Sequence, residues 1–388
     1  MRGAGLRLGL NVIDDKSWMG GVLYVRSLVR CLACQPVAQR PHIRLLGVSD
    51  PASPVVRELS AYDCVEAIEA EPWGRLGRLW RRLAGAAAAP PELVFPAFAT
   101  VPPPAVPLYW LPDFQHLHLP QLFSAEERQV RSSGMAALAA QEGTLVLSSA
   151  VAAGDFSRFF PEARICPEIW RFCSEIVPGA APVDPRPVYD LPEKYLYLPN
   201  QFWAHKNHRC AFLALGLLQQ RGLEIALVCT GLQEDRRDPE HFPRLLALLD
   251  AEGITNQVRF LGLIPRADQI EVFRHSAAVV QPSLFEGWST VVEDTLAIGR
   301  PLFVSDLPVH REQLATASEA RFFDPLRPET LADAIEQAWP GLAPGPDAAS
   351  ERMAASRLAG RRMASGAEFI RIATTALARA RAGLSGSR

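Results

Sequence analysis

Gln281-Pro-Ser-Leu-Phe-Glu-Gly-Trp-Ser-Thr-Val-Val-Glu-Asp-Thr-Leu-Ala-Ile-Gly-Arg-Pro301 decides the architecture. The apolar run Ala278–Gln281 that leads into it reads as a strand. A loop with Pro282 and Gly287 follows, then a helical pattern that stops at Gly299, and Pro301–Val304 opens another strand. Strand, loop, helix, glycine stop and strand make one parallel βαβ unit. Ligands in such sheets collect beyond the carboxyl ends of the strands, beside helix N-termini. The chemistry is therefore expected in the loop that ends at Ser289.

The alternation extends outward in both directions. Upstream, Tyr195–Leu198 is a strand, His208–Gln220 a helix, and Ile225–Thr230 and Val258–Leu261 are strands. Downstream come a strand at Arg321–Phe323 and an Ala- and Arg-rich helical tail over Ala348–Ala382, with a break expected near Gly366. Pro178, Pro182, Pro185, Pro187 and Pro192 mark a linker. Before it, strands are expected at Leu6–Ile13, His42–Val48, Pro107–Leu111 and Thr144–Ser148. Helices are expected from Gly20 and Gly21 to Ala33, over Ser124–Ala140 and over Ala150–Phe160. Ala84–Pro91 reads as a loop. The whole is α/β: a doubly wound domain over 1–180, a linker over 181–193, a second doubly wound domain over 194–345 and a helical segment over 346–388.

Composition narrows the function classes. The 388 residues are 48% hydrophobic and 21% charged, enough apolar side chain for sizeable cores. Lys plus Arg number 40 against 42 Asp plus Glu, a net charge of −2, which argues against a nucleic-acid binder. Only Lys16, Lys194 and Lys206 are lysines, so each is informative. Seven scattered Cys form no disulfide framework and fit a reducing compartment. The Cys31-x-x-Cys34 pair lacks a second pair and reads as two half-buried helix residues. No signal peptide or membrane span is expected, and the chain reads as cytoplasmic.

Residue chemistry points to an anion in the expected loop. Gly287 and Ser289 would leave backbone amides at a helix start, where the dipole favours a negative charge by about 0.3–1 kcal/mol. Glu286 sits in the loop as an acceptor for hydroxyl groups. Thr290-x-x-Glu293 has the pattern of a capping box, which leaves Asp294 as the carboxylate without a local duty. Lys206, in Pro199-Asn-Gln-Phe-Trp-Ala-His-Lys-Asn-His208, would stand at a helix start, an unfavourable place for a cation unless an anion joins it. His205 and His208 have metal-compatible spacing but no third ligand nearby. Asp113, His116 and His118 cluster after an N-terminal strand, either as a core-packed loop or as a polar wall. None of the 17 Asp has another two positions away, so a metal-bridged diphosphate site is not expected and no metal or cofactor is assigned.

Phe285-Glu-Gly-Trp-Ser-Thr-Val-Val-Glu-Asp294, Ala297-Ile-Gly-Arg-Pro301 and Ser305-Asp-Leu-Pro-Val-His-Arg-Glu312 together resemble the retaining GT-B glycosyltransferases of family 4. Pro199–His208, Val258-Arg-Phe-Leu-Gly262 and Gly20-Gly21 add to the resemblance, which is dense from about 195 to 325. It implies two facing Rossmann-like domains, a C-terminal helix crossing back to the first, and a nucleotide-sugar held by the second. It implies sugar transfer with retained anomeric configuration and no obligatory metal. By position, Lys206 is similar to a diphosphate-binding lysine, and Glu286 to the carboxylate that holds donor-sugar hydroxyls. The implied donor set is Gly21, Gln201, Lys206, Leu263, Glu286, Gly287, Trp288, Ser289 and Thr290, with Asp294 or Glu293 on the ribose. Gln201 stands where the family has a phosphate-binding Arg. Pro112-Asp113 replaces a His-Asp pair, and His116 is the candidate for the displaced imidazole; Glu286, Lys206, His116 and Asp113 form the implied catalytic set.

The acceptor is expected to be a glycan or a lipid-linked sugar, as in bacterial surface polysaccharide or glycolipid synthesis. Trp73-Gly-Arg-Leu-Gly-Arg-Leu-Trp-Arg-Arg-Leu83 reads either as a basic amphipathic helix on an anionic membrane or as a solvated helix face. Two other classes stay open: a nucleotide-sugar epimerase or dehydrogenase on the same architecture, and a non-catalytic sugar-nucleotide-binding relative. Gly20-Gly21 lacks the Gly-x-Gly-x-x-Gly spacing that a dehydrogenase would want.

Overall fold

Short apolar runs separated by helical patterns build two parallel sheets. The computed structural model describes residues 5–15, 18–70, 90–98, 101–176, 183–315 and 320–385. In chain order the first part contains β1 (Arg7–Asn11), α1 (Met19–Ala33), β2 (His42–Val48), α2 (Pro54–Ser60), β3 (Val65–Ala70), β4 (Leu93–Ala97) and β5 (Val106–Trp110). Then come α3 (Gln115–His118), α4 (Ala125–Ala139), β6 (Thr144–Leu147), α5 (Ala150–Phe159) and β7 (Cys166–Ile169). The second part opens with α6 (Pro185–Tyr189), β8 (Tyr195–Leu198), α7 (His208–Gln220), β9 (Ala226–Cys229), α8 (His241–Glu252), β10 (Val258–Phe260) and α9 (Arg266–His275). It continues with β11 (Ala278–Gln281), α10 (Thr290–Ile298), β12 (Leu302–Ser305), α11 (Pro308–Gln313), β13 (Ala320–Phe323), α12 (Pro328–Ala338) and α13 (Ala348–Ser385).

The first sheet has the order β3-β2-β1-β4-β5-β6-β7 and the second β10-β9-β8-β11-β12-β13. Every strand pairing in both is parallel. Each order reverses direction once, between β1 and β4 and between β8 and β11. Such reversals open a crevice at the carboxyl ends of the strands, because the flanking loops depart to opposite faces. Packing groups the chain into one unit of Met1–Asp113, Ser133–Glu175 and Ala359–Arg388, and a second of Phe114–Ser132 and Ile176–Leu358.

The second unit's core is a continuous cluster around Leu196, Leu198, Phe212, Leu227, Phe303 and Leu331. Fully buried parallel strands account for the unbroken apolar runs in β8 and β11. Three strands escape the sequence reading: Val65–Ala70, Leu93–Ala97 and Cys166–Ile169. The expected break near Gly366 does not occur; α13 is one helix. Glycine there serves packing instead, since a Cβ would lie 2.2 Å from the Cys31 carbonyl oxygen in α1. Cys31 is buried and Cys34 exposed, so the two are not the half-buried pair expected. The basic segment Trp73–Leu83 and most of the Ala84–Pro91 loop lie outside the described residues.

Candidate active site

The crevice between β8 and β11 gathers the charged residues that the sequence singled out. After β8 the chain makes a 3₁₀ turn, Ala204–Lys206, and Asn207 follows in the left-handed region at φ 56°. Asn207 Nδ2 donates to the carbonyls of Pro282 (3.1 Å) and Pro325 (2.9 Å). The Leu284 amide donates to the His205 carbonyl at 2.8 Å. These bonds bring the loop after β8 against the loop after β11. Lys206 is thus the last residue of a 3₁₀ turn, two places ahead of α7. Its Nζ lies 2.7 Å from Oε1 of Glu286, and the two side chains are only 15% and 9% exposed.

Glu286 is held by more than the lysine. Its Oε1 also accepts from Ser283 Oγ (2.7 Å) and from Gln281 Nε2 (2.9 Å). Gln281 ends β11, and its amide nitrogen also reaches Ser283 Oγ (3.0 Å) and Ser289 Oγ (3.1 Å). Asn200, two residues past β8, donates to Gln281 Oε1 at 2.7 Å and fixes the amide's direction. A carboxylate with three donors on one oxygen in a mostly desolvated site is rigidly placed.

The start of α10 departs from expectation in two ways. Ser289, not Thr290, is the N-cap, and its Oγ accepts from the Val292 amide at 3.4 Å. Glu293 closes no capping box; it is fully buried, and its Oε1 accepts from Gln313 Nε2 at 2.9 Å. Gln313, at the end of α11, also donates to the Ser289 carbonyl (2.8 Å) and accepts from the Ser289 amide (3.3 Å). The Ser289 amide is therefore already used, whereas among the described residues no protein group accepts from the amides of Gly287 and Thr290. Trp288 is buried between them. With Glu293 committed to Gln313, Asp294 is the carboxylate next to the crevice. It pairs with Arg266, the first residue of α9, at 2.6 Å, and Arg266 Nη1 also donates to Gln269 Oε1 at 2.6 Å.

Arg266 is a cation that sequence reading missed. Its side chain is 21% exposed against 6% for Asp294, so removing it strands a nearly buried carboxylate. Arg266→Leu is expected to destabilise the protein by about 1.5–3 kcal/mol, the range for hydrogen bonds to charged groups. Urea titration of the two proteins measures this, and an unchanged midpoint would show that the pair contributes nothing.

The remaining expected residues are placed as follows. Gln201 Oε1 accepts from the Leu232 amide at 2.7 Å, so this side chain pins the loop after β9. Leu263 is 61% exposed in the loop after β10, next to Gly262 at φ +65°. Gly21 is buried in the first turn of α1, in the other unit. Asp113 follows β5 and is half-buried, whereas His116 is buried in α3 with its Nε2 3.3 Å from Ser132 Oγ. The His118 ring lies 5.0 Å from the Phe285 ring. His205, His208 and His310 are buried, and desolvation lowers the pKa of each, that of His208 to about 3. They are neutral near pH 7 and add no positive charge to the crevice. Among the described residues no group of three or more His, Cys, Asp or Glu is arranged to hold a metal. No helix among them is long and apolar enough to cross a membrane.

The family model described as Glycosyl transferases group 1 matches residues 186–339, the stretch that contains Lys206, Arg266, Glu286 and Asp294. That stretch lies within the second unit. The whole chain also has the GT-B fold of solved glycosyltransferases. A sucrose-phosphate synthase from Thermosynechococcus elongatus is 16% identical at a TM-score of 0.63, over 99% of this chain and 100% of that one. Anabaena Alr3699/HepE, solved with UDP and glucose, is 14% identical at 0.60, over 98% and 99%. WaaG, a glycosyltransferase involved in lipopolysaccharide biosynthesis, is 14% identical at 0.54, over 95% and 98%. No curated protein has a sequence that matches this chain. Within the matched stretch, the four residues named above lie on loops and helix starts at the carboxyl edge of one sheet, the expected place for ligand chemistry.

Proposed function

We propose that this protein transfers a sugar from a nucleoside-diphosphate donor to an acceptor hydroxyl with retention of anomeric configuration and without a metal. The observation that carries the reading is the Lys206–Glu286 pair at the reversal between β8 and β11, beside the Gly287 and Thr290 amides. A pyrophosphate needs a cation and oriented amides; a pyranose needs a fixed acceptor for its hydroxyls. That HepE was solved with UDP and glucose supports this choice of ligand.

In this mechanism Glu286 orients the donor sugar through its hydroxyls, and Asp294, held by Arg266, takes the ribose. The acceptor oxygen forms its bond to the anomeric carbon on the face from which the diphosphate departs. The carbon–oxygen bond to the phosphate breaks, its electron pair stays on the phosphate, and that oxygen takes the acceptor's proton. Lys206 and the amides stabilise the charge as it develops, the kind of preorganised electrostatics that dominates such steps. The acceptor is a glycan or a lipid-linked sugar.

A thermal-shift screen across UDP-, GDP-, dTDP- and ADP-linked sugars tests the donor assignment. At least one compound should raise the melting temperature and be slowly hydrolysed, and NMR of the released or transferred sugar should show the donor's own anomer first. Binding without any turnover would instead support a non-catalytic relative, and no shift with any compound would overturn the donor reading.

A further inference from the structure

The first unit holds a column of three aromatic rings at the carboxyl edge of its own sheet. Trp18 precedes α1, Trp110 ends β5 and Tyr24 lies within α1. Trp18 stacks on Trp110 at 5.5 Å and 15°, and Trp110 stacks on Tyr24 at 4.1 Å and 14°. The inner two rings are buried, at 6% and 1% exposure, while Trp18 at the outer end stays half-exposed. Tyr24 is in turn braced edge-on by Trp170 (4.9 Å) and Phe172 (5.4 Å).

This column brackets the first unit's reversal point. Trp18 follows β1 and Trp110 closes β5, with β4 between them, and the order of strands turns between β1 and β4. Gly21 explains how the outer ring lies flat there. A Cβ on residue 21 would sit 2.8 Å from a Trp18 ring carbon and 3.1 Å from the Ile13 side chain. Gly21, which the resemblance puts in the donor set, is the seat of this indole. Two exposed carboxylates, Asp14 and Asp15, share the loop, and the Asp15 carbonyl accepts from the Trp18 amide at 2.9 Å.

We propose that Trp18 is the stacking platform for a pyranose ring of the acceptor, so that the hydroxyl being glycosylated belongs to a sugar. The assignment rests on the glycosyl-transfer reading only in calling that sugar the acceptor. An indole face is electron-rich, and the axial carbon-bound hydrogens of a pyranose present a weakly positive patch to it. A ring braced from beneath by two others loses little freedom when a ligand settles on it, which favours binding. Acidic side chains in the same loop supply acceptors for the hydroxyls at the sugar's rim. An indole at a crevice rim, with carboxylates beside it, suits a ligand with an apolar face and a polar edge.

Saturation-transfer NMR on the full chain tests this with methyl α-D-glucopyranoside, methyl β-D-galactopyranoside and methyl α-D-mannopyranoside. Xylitol, which has no ring face, and benzyl alcohol, which is flat and aromatic, are the comparison ligands. The carbon-bound ring protons of at least one glycoside should be saturated by the wild type. That signal should fall at least fivefold in Trp18→Ala and return to at least half in Trp18→Phe, with all three proteins melting cooperatively. Silence from all three glycosides, an undiminished signal in Trp18→Ala, no recovery in Trp18→Phe, or saturation confined to xylitol or benzyl alcohol would each overturn the proposal. The nucleotide-sugar screen reads the other unit independently. A positive screen with silent glycosides removes this platform alone, and a silent screen with saturated glycosides removes the donor reading alone.

Discussion

Lys206→Ala should lower nucleotide-sugar turnover by about 10²–10³-fold, the usual cost of deleting one preorganised group that stabilises developing charge. Coulomb attraction between an ammonium and a phosphate about 4 Å apart is on the order of 4 kcal/mol at an effective dielectric near 20, before desolvation. The substitution also leaves Glu286 without its cation. That carboxylate keeps its hydrogen bonds from Ser283 and Gln281, so the stability loss should be about 1.5–3 kcal/mol. A fully buried pair stripped of one partner would lose about 3–5 kcal/mol. Steady-state kinetics with the donor found by the screen, and a melting curve of the same protein, check both halves. Unchanged turnover together with unchanged donor affinity would remove Lys206 from the mechanism.

Gly231→Ala should destabilise the second unit by about 2–6 kcal/mol, combining backbone strain with overpacking. Gly231 sits at φ +134°, and a Cβ there would lie 2.2 Å from the Asn200 carbonyl oxygen and 2.9 Å from the Gln201 Cα. Both near atoms are backbone, so the relief must come from movement of the loop after β8. That loop carries Asn200, which directs Gln281, and Gln201, which holds Leu232. Donor affinity should therefore weaken along with stability. Gly222→Ala is the control, because Gly222 has φ +79° but nothing within 4 Å of its Cβ position. It should cost only the strain, about 1–3 kcal/mol. Equal urea midpoints for the two variants would show that the close approach at 231 carries no energy.

Much of the second unit was legible because buried parallel strands leave unbroken apolar runs bounded by loops. Tyr195–Leu198 and Ala278–Gln281 were read to the residue. The first unit's missed strands each lack that mark. Leu93–Ala97 contains Pro96 and lies in a proline-rich stretch, which hides the strand although it is central. Cys166–Ile169 is an edge strand with an exposed start, and Val65–Ala70, at the opposite edge, has its apolar run interrupted by Glu66 and Glu69. At the site, a local motif identified Lys206 and Glu286. Gln313, Arg266 and Asn200 were invisible because their partners lie 24, 28 and 81 residues away in sequence. A spacing rule sees one helix turn; these contacts exist only once the sheet order is known. Trp18 escaped for the same reason, since its partner is the last residue of a strand two places across the sheet.

The amide nitrogen of Gln281 is short by one hydrogen. It has two to give and three oxygens within 3.1 Å, on Ser283, Glu286 and Ser289. While the carboxylate stays in place, one of the three goes without an amide hydrogen at any instant, and the Glu286 oxygen and Ser289 Oγ have other donors. Should Glu286 swing away to meet a ligand's hydroxyl, the two amide hydrogens suffice for the two serine oxygens, while Lys206 and the Ser283 hydroxyl lose their acceptor. The amide thus loses nothing when the carboxylate turns to a ligand, and what that ligand must replace is the hold of Lys206 and of the Ser283 hydroxyl.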